Sequence, residues 1–187
     1  NTKKAPFDDE KIRQAVSYAV PYQEIIDQVY HGYALQSRGP VPHGVWGHGD
    51  DLKQYELDID KAKQLIEESN YSASELSEMS ILATYQTGNS LHERILLLMQ
   101  DTFDQIGLDL EIREMPWSTL MAKARNPNVE ERQHICLIYW WPDVTGPYTY
   151  LINMFVSEDQ PFFNLGYYSN TEVDSFIESA RKKAAVD

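Results

Sequence analysis

The residues best suited to ligand chemistry lie in one stretch, Ile135 to Tyr148, which reads ICLIYWWPDVTGPY. It begins as an unbroken apolar run and ends in turn chemistry. Trp140 and Trp141 adjoin on one backbone, and Asp143 follows Pro142. Aromatic walls gain contact area against extended or amphipathic ligands without strict hydrogen-bond matching. A carboxylate beside them can hold a ligand ammonium through a charge-assisted hydrogen bond. The opposing reading keeps both rings in a core and makes Asp143 a cap or turn residue. If the strand persists to the pair, the two rings face opposite ways, so at most one stacks on a ligand while the other packs. Trp117, close after a second apolar segment, is a further candidate wall.

Other chemistries find little support. No nucleophile elbow, phosphate-cradling glycine loop or H-E-x-x-H helix occurs. His43 and His48 lie near Asp50 and Asp51 in a glycine-rich segment, but at no known ligand spacing, so no metal and no cofactor is expected. Paired carboxylates could in principle hydrolyse a glycosidic bond, but no pair can be picked from spacing alone. A protein-interaction domain with an exposed apolar patch is the third alternative. With Lys+Arg 16 against Asp+Glu 29, the net charge of −13 repels phosphate backbones and anionic membrane surfaces. The single cysteine, Cys136, sits inside the apolar run and reads as a small buried hydrophobe. No apolar stretch approaches the ~20 residues of a membrane span. Nor does any stretch read as a signal peptide, and a chain opening on Asn1-Thr2 reads as a piece of a longer one.

The elements that must position these residues follow from periodicity. Helices are predicted over Asp8 to Val20, with Asp8 or Asp9 as N-cap, over Pro21 to Tyr30, and over Asp58 to Asn70. Tyr33 to Tyr55, rich in glycine and proline, reads as a long ordered loop, and Ser72 to Glu78 as a polar turn. Met79 to Tyr85 is predicted as a central strand. A Gln86-Thr87-Gly88-Asn89 turn follows, then a helix to Ile106 opened by a Ser90/Glu93 capping box. Leu108 to Arg113 alternates strictly and reads as a half-exposed strand towards a sheet edge. Trp117 to Ala124 is a short helix. Ile135 to Tyr139 is the third strand, buried on both faces. Pro147 to Phe155 is helical, Ser157 to Leu165 is a loop carrying Phe162, Phe163 and Asn164, and a last helix follows a capping box at Ser169 to Glu172.

Strand, helix, strand, helix, strand with right-handed crossovers gives a parallel sheet of order second–first–third. Its switch point would place a crevice between Tyr85 to Asn89 and Trp140 to Tyr148, at the strand ends where open α/β sheets bind ligands. Tyr85, Gln86 and Asn89 thereby join the tryptophans and Asp143 as expected ligand contacts.

These segments resemble a known family. Phe7-Asp8-Asp9 through Ile12-Arg13-Gln14-Ala15 to Tyr18-Ala19, the loop Gly39-Pro40-Val41-Pro42-His43-Gly44-Val45-Trp46-Gly47, and Asp60-Lys61-Ala62-Lys63-Gln64-Leu65-Ile66 fall in its order. So do Ile106-Gly107-Leu108, Trp117, Trp140-Trp141-Pro142-Asp143 and the Asn164, Tyr167-Tyr168, Asn170 to Asp174 ending. Pro21-Tyr22 replaces the family's usual Asp-Arg/Lys. On these motifs the chain is similar to the extracytoplasmic solute-binding proteins of ABC transporters, family 5, the oligopeptide, dipeptide and nickel class. The resemblance implies an α/β fold: a three-layer α/β/α lobe of the type II periplasmic-binding-protein kind, with a mainly parallel sheet and helices on both faces. It implies that residues 1–187 form one domain, the C-terminal ligand-binding lobe, with the first lobe outside the chain. It implies solute capture rather than catalysis, a peptide or other small solute as ligand, and membrane permease subunits as partners. It also implies a place in the periplasm or on a lipid anchor outside the cell membrane. Nickel complexes or oligosaccharides are the alternative ligands on the same fold. At the position of Asp143 peptide-binding relatives hold the ligand's α-ammonium, and Trp117 and Trp140 match aromatic positions lining the cleft.

Overall fold

The computed structural model describes residues 1–141, 144 and 146–184. Its contacts divide the chain into two compact units, Asn1–Gln36 with Tyr55–Ile138, and Ser37–Gln54 with Tyr139–Asp187.

The first unit is the α/β layer. Helix α1, Glu10–Ala19, is capped by Asp9, whose carboxylate accepts from the Lys11 amide at 2.6 Å and the Ile12 amide at 3.3 Å. Its apolar stripe, Ile12, Ala15 and Ala19, is buried and packs against α3, Ile59–Glu67. The second Asp9 oxygen takes the Asn70 amide at 2.9 Å and its side-chain nitrogen at 2.6 Å, tying the end of the α3 segment to the start of α1. Burial alone would raise this carboxyl's pKa. The four donors override that and hold it below the ordinary carboxylate value. Pro21 stands at the N-cap of α2, Tyr22–Glu24, which widens into a π-turn over Ile25–Val29. The predicted polar turn at 72–78 is instead a short helix, α4, Ala73–Ser77. Ser72 and Glu75 form a full capping box there, which offsets its poor apolar pattern, and only Leu76 is buried.

Strand β1, Ser80–Gln86, lies between β2, Asp109–Met115, and β3, Ile135–Cys136, and both pairings are parallel. The order is the expected one. Helix α5, Ser90–Gln105, joins β1 to β2, and α6, Trp117–Ala124, leads from β2 past β1 towards β3. These connections run in opposite directions across the sheet, so right-handed crossovers put α5 and α6 on opposite faces. Both faces of β1 are covered accordingly: Ile81, Ala83 and Tyr85 are buried on one, and Thr84 on the other.

The third strand departs from expectation. It holds two paired residues rather than five, and Ile135 to Ile138 are half-buried, not buried on both faces. As the last strand of a β2-β1-β3 order it has a neighbour on one side only. The Leu137 amide still donates to the Thr84 carbonyl at 2.9 Å before regular pairing ends. At its other end an imidazole enters the ladder. The His134 amide donates to the Leu82 carbonyl at 3.0 Å, and the Leu82 amide donates back to His134 Nδ1 at 2.9 Å. The chain feeding this strand is held by Lys4, whose ammonium donates to the carbonyls of Glu130 and Arg132 at 2.7 and 2.6 Å.

The second unit contains the long loop, which stays free of helix and strand over 37–54, then α7, Pro147–Phe155, and α8, Thr171–Ala184, packed on each other. The predicted cap of α8 shifts by one residue. Asn170, not Ser169, accepts the Glu172 and Val173 amides, at 2.9 and 3.1 Å. A carboxamide oxygen at the residue directly before the helix reaches both first-turn donors.

Candidate functional site

In the first unit the C-terminal rim of the sheet is built by the β1–β2 pair. Gln86 stands opposite Met115, and the Thr87 amide donates to the Met115 carbonyl at 2.9 Å, so the ladder runs one bond into the turn. Gly88 turns the chain at φ +82°, where a side chain would be strained. The Asn89 amide closes the turn on the Gln86 carbonyl at 3.1 Å. Gln86 is exposed, and two residues past Met115 so is Trp117, as the first residue of α6. The turn and the tryptophan thus occupy adjacent positions on one rim.

Two other expected contacts are committed elsewhere. Tyr85 is buried, and burial raises its phenol pKa, helped by the carboxylates of Glu93 and Glu114. Asn89, rather than Ser90, caps α5. Its side-chain oxygen accepts the His92 amide at 3.1 Å and its nitrogen lies 3.2 Å from His92 Nδ1. His92 is buried, and burial lowers its pKa. The Asn89 side chain therefore does helix work, as Asp9 does in α1.

In the second unit the aromatic residues gather. Trp140 is half-buried, with its ring 4.8 Å edge-on from Phe163, and its indole nitrogen is buried without a hydrogen-bond partner among the described residues. Trp141 is 72% exposed and lies 5.0 Å from the Tyr139 ring. Trp140 is thus partly covered by Phe163 and keeps part of its surface open, whereas Trp141 faces out, although the regular strand has ended before either. Asp143 lies outside the described residues, as does Pro142. Phe162 meets Phe163 at 4.6 Å, nearly perpendicular, and is itself exposed. Trp46, from the glycine-rich loop, is exposed too, and a methyl group added to Gly146 would come within 3.6 Å of its indole nitrogen.

Periodicity was silent on Phe162, Phe163 and Trp46 because all three sit in loops. The sequence signals were the family loop motif that carries Trp46 and two adjacent phenylalanines in a segment with no apolar period to absorb them.

The histidines of the loop are held by the protein itself. His48 Nδ1 donates to the Val41 carbonyl at 2.7 Å, its Nε2 lies 3.5 Å from Asp50, and its ring meets that of His43 at 5.5 Å. Among the described residues no group of three or more His, Cys, Asp or Glu is placed to hold a metal ion. Among them, too, no helix is long and apolar enough to cross a membrane.

Comparison with known proteins agrees with this architecture. Residues 1–162 match the family described as bacterial extracellular solute-binding proteins, family 5 middle. Heme-binding protein A of Haemophilus influenzae is 29% identical over 181 residues, covering 96% of this chain and 32% of that protein. The dipeptide-binding protein of Escherichia coli is 27% identical over 155 residues, 83% of this chain and 28% of that protein. Among solved structures, the periplasmic binding protein DppA of Helicobacter pylori, in complex with the peptide STSA, superposes with a TM-score of 0.81 at 22% identity. That superposition covers 96% of this chain and 34% of the other. The chain spans about a third of the length of the curated relatives it matches.

Proposed function

This chain belongs to the bacterial extracellular solute-binding proteins of family 5, and we propose that it forms one ligand-binding lobe of a two-lobed solute receptor for an ABC importer. The other lobe is a further segment of the same protein. The fold is the type II binding-protein α/β fold, and the protein works outside the cytoplasm. Relatives named for heme and for dipeptides share it. The ligand class is an oligopeptide or related small solute, captured without chemical conversion. Binding energy drives the lobes from open to closed, and the permease subunits in the membrane sense the closed state.

The observation that carries this reading is Trp141, 72% exposed in the residues that directly continue a parallel strand. Aromatic surface of that size left in water gains most when a ligand covers it. Trp140, Trp141 and Asp143 are the proposed ligand contacts of the second unit, and Gln86 and Trp117 those of the first. Asp143 holds the ammonium of a peptide-like ligand.

Native mass spectrometry of the full-length protein as purified tests the reading, with a retained small solute as the expected result. In calorimetry, Asp143→Asn is expected to weaken an ammonium-bearing peptide by roughly tenfold or more, the loss of one charge-assisted hydrogen bond. Unchanged affinity would remove Asp143 from the site. Product formation from a bound solute would sink the receptor reading altogether.

A further inference from the structure

The loop between α7 and α8 carries more order than a connector requires. Asn164 is buried at 3% exposure and spends its whole carboxamide on the loop's own backbone. Its nitrogen donates to the Val156 carbonyl at 3.0 Å and the Tyr168 carbonyl at 2.8 Å, and its oxygen accepts the Tyr168 amide at 3.1 Å. Tyr167 beside it is buried with φ at +54°, a conformation that non-glycine residues adopt only when their surroundings impose it. On the outer side the Phe162 amide donates to the Glu158 carboxylate at 2.9 Å. Between these two anchors sit Phe162 and Phe163.

What the anchors hold is a run of edge-to-face rings. Trp140 meets Phe163 at 4.8 Å and 68°, and Phe163 meets Phe162 at 4.6 Å and 89°. The inner rings are half-buried, whereas Phe162 is 63% exposed. A phenylalanine left in water at the end of a pinned loop gives up apolar burial, and fixing it beforehand removes the ordering cost from any later contact.

We propose that Phe162 and Phe163 set the ligand preference of this lobe: Phe163 positions the Trp140 ring, and Phe162 extends that surface to take a large apolar side chain of the solute. The proposal rests on the reading of Trp140 as a ligand contact. It predicts a receptor that favours aromatic or bulky aliphatic side chains over small ones, since an edge-to-face partner adds to plain area burial.

The test uses the full-length protein and two probes, triphenylalanine and trialanine, by calorimetry. Wild type is expected to bind triphenylalanine more tightly. Phe162→Ala should lower that preference about tenfold by weakening triphenylalanine alone, and Phe162→Trp should retain it. Phe163→Leu should weaken both probes and alter the near-ultraviolet circular dichroism of the tryptophans, reporting a displaced Trp140. A preference unchanged in Phe162→Ala, or a wild type that favours trialanine, overturns the proposal and leaves the receptor reading intact. A wild type that binds neither peptide fails earlier, at the peptide reading itself, and takes this proposal with it.

Discussion

The two units use their apolar residues in opposite ways. In the first, Ile12, Ala15, Ala19, Ile81, Leu96 and Phe103 are wholly removed from water, around a sheet covered on both faces. In the second, the buried hydrophobic residues among those described are Val41, Tyr167 and Ile177, and α7 buries none of its apolar side chains. Trp46, Trp141, Val144, Phe162 and Phe176 are each more than 60% exposed there. The first unit is therefore stabilised by its core. The second is held by local devices: the Asn164 carboxamide, the Asn170 cap and the Ser157 amide on Asp174 at 2.9 Å. On the proposed reading, a binding surface has to stay uncovered until its ligand arrives, so its order would come from polar ties rather than from sealing the aromatics away.

Substitutions that should cost much in one unit and little in the other sharpen this contrast. The largest effect is expected from Phe103→Ala, which empties a fully enclosed site and should destabilise by about 4 kcal/mol in denaturant unfolding. A loss below about 1 kcal/mol there would break the comparison, because the first unit would then not depend on its core.

Next comes the imidazole in the sheet. Burial, with the nearby Lys4 cation, pushes the His134 pKa down from 6.5 to about 4. The neutral ring is the form that accepts the Leu82 amide. Because the folded value is depressed, its stabilisation is complete above the unfolded value near 6.5 and is lost as pH falls through about 4. Unfolding free energy should drop by about 3 kcal/mol across that window. A His134→Gln variant should show a flatter pH profile. An equal slope in both proteins would move the acid sensitivity elsewhere.

Asp9→Ala removes a helix cap and the tie to Asn70, for an expected loss of about 2 kcal/mol at pH 7. Its folded pKa is also depressed, so the contribution is present above the ordinary carboxylate range and vanishes as pH falls through the folded value. The gap between wild type and variant should therefore close in acid. The smallest stability effect belongs to Trp141→Ala, under about 0.5 kcal/mol for so exposed a ring. Solute affinity is where that variant should show its loss. A large drop in stability instead would make Trp141 a packing residue.

Much of the first unit is legible from the chain. The strict alternation from Leu108 identified β2 as an edge, and the apolar run before Tyr85 identified β1 as central, since strand burial writes itself into the residue order. The third strand misled because a run of apolar residues signals burial without saying by what. At Ile135 to Ile138 the cover is partial. Capping boxes located two helix starts, but at both an asparagine next to the expected serine took the cap, Asn89 one position earlier at α5 and Asn170 one position later at α8, because a carboxamide oxygen there reaches the first-turn amides. The site was less legible. Nothing local distinguishes Asn89 the cap from Asn89 the ligand contact, or Tyr85 at a rim from Tyr85 inside the core.

By itself the sequence determined the order of the strands and longer helices, the parallel sheet and its strand order, and the family, all of which follow from periodicity and local motifs. Only the tertiary structure decided that Trp141 is the more exposed ring of the pair, that Phe163 meets Trp140 from a loop more than twenty residues away, and that His134 replaces a backbone acceptor in the ladder. Those outcomes depend on which distant segment arrives beside a side chain, and contacts between distant segments leave no period in the chain to read.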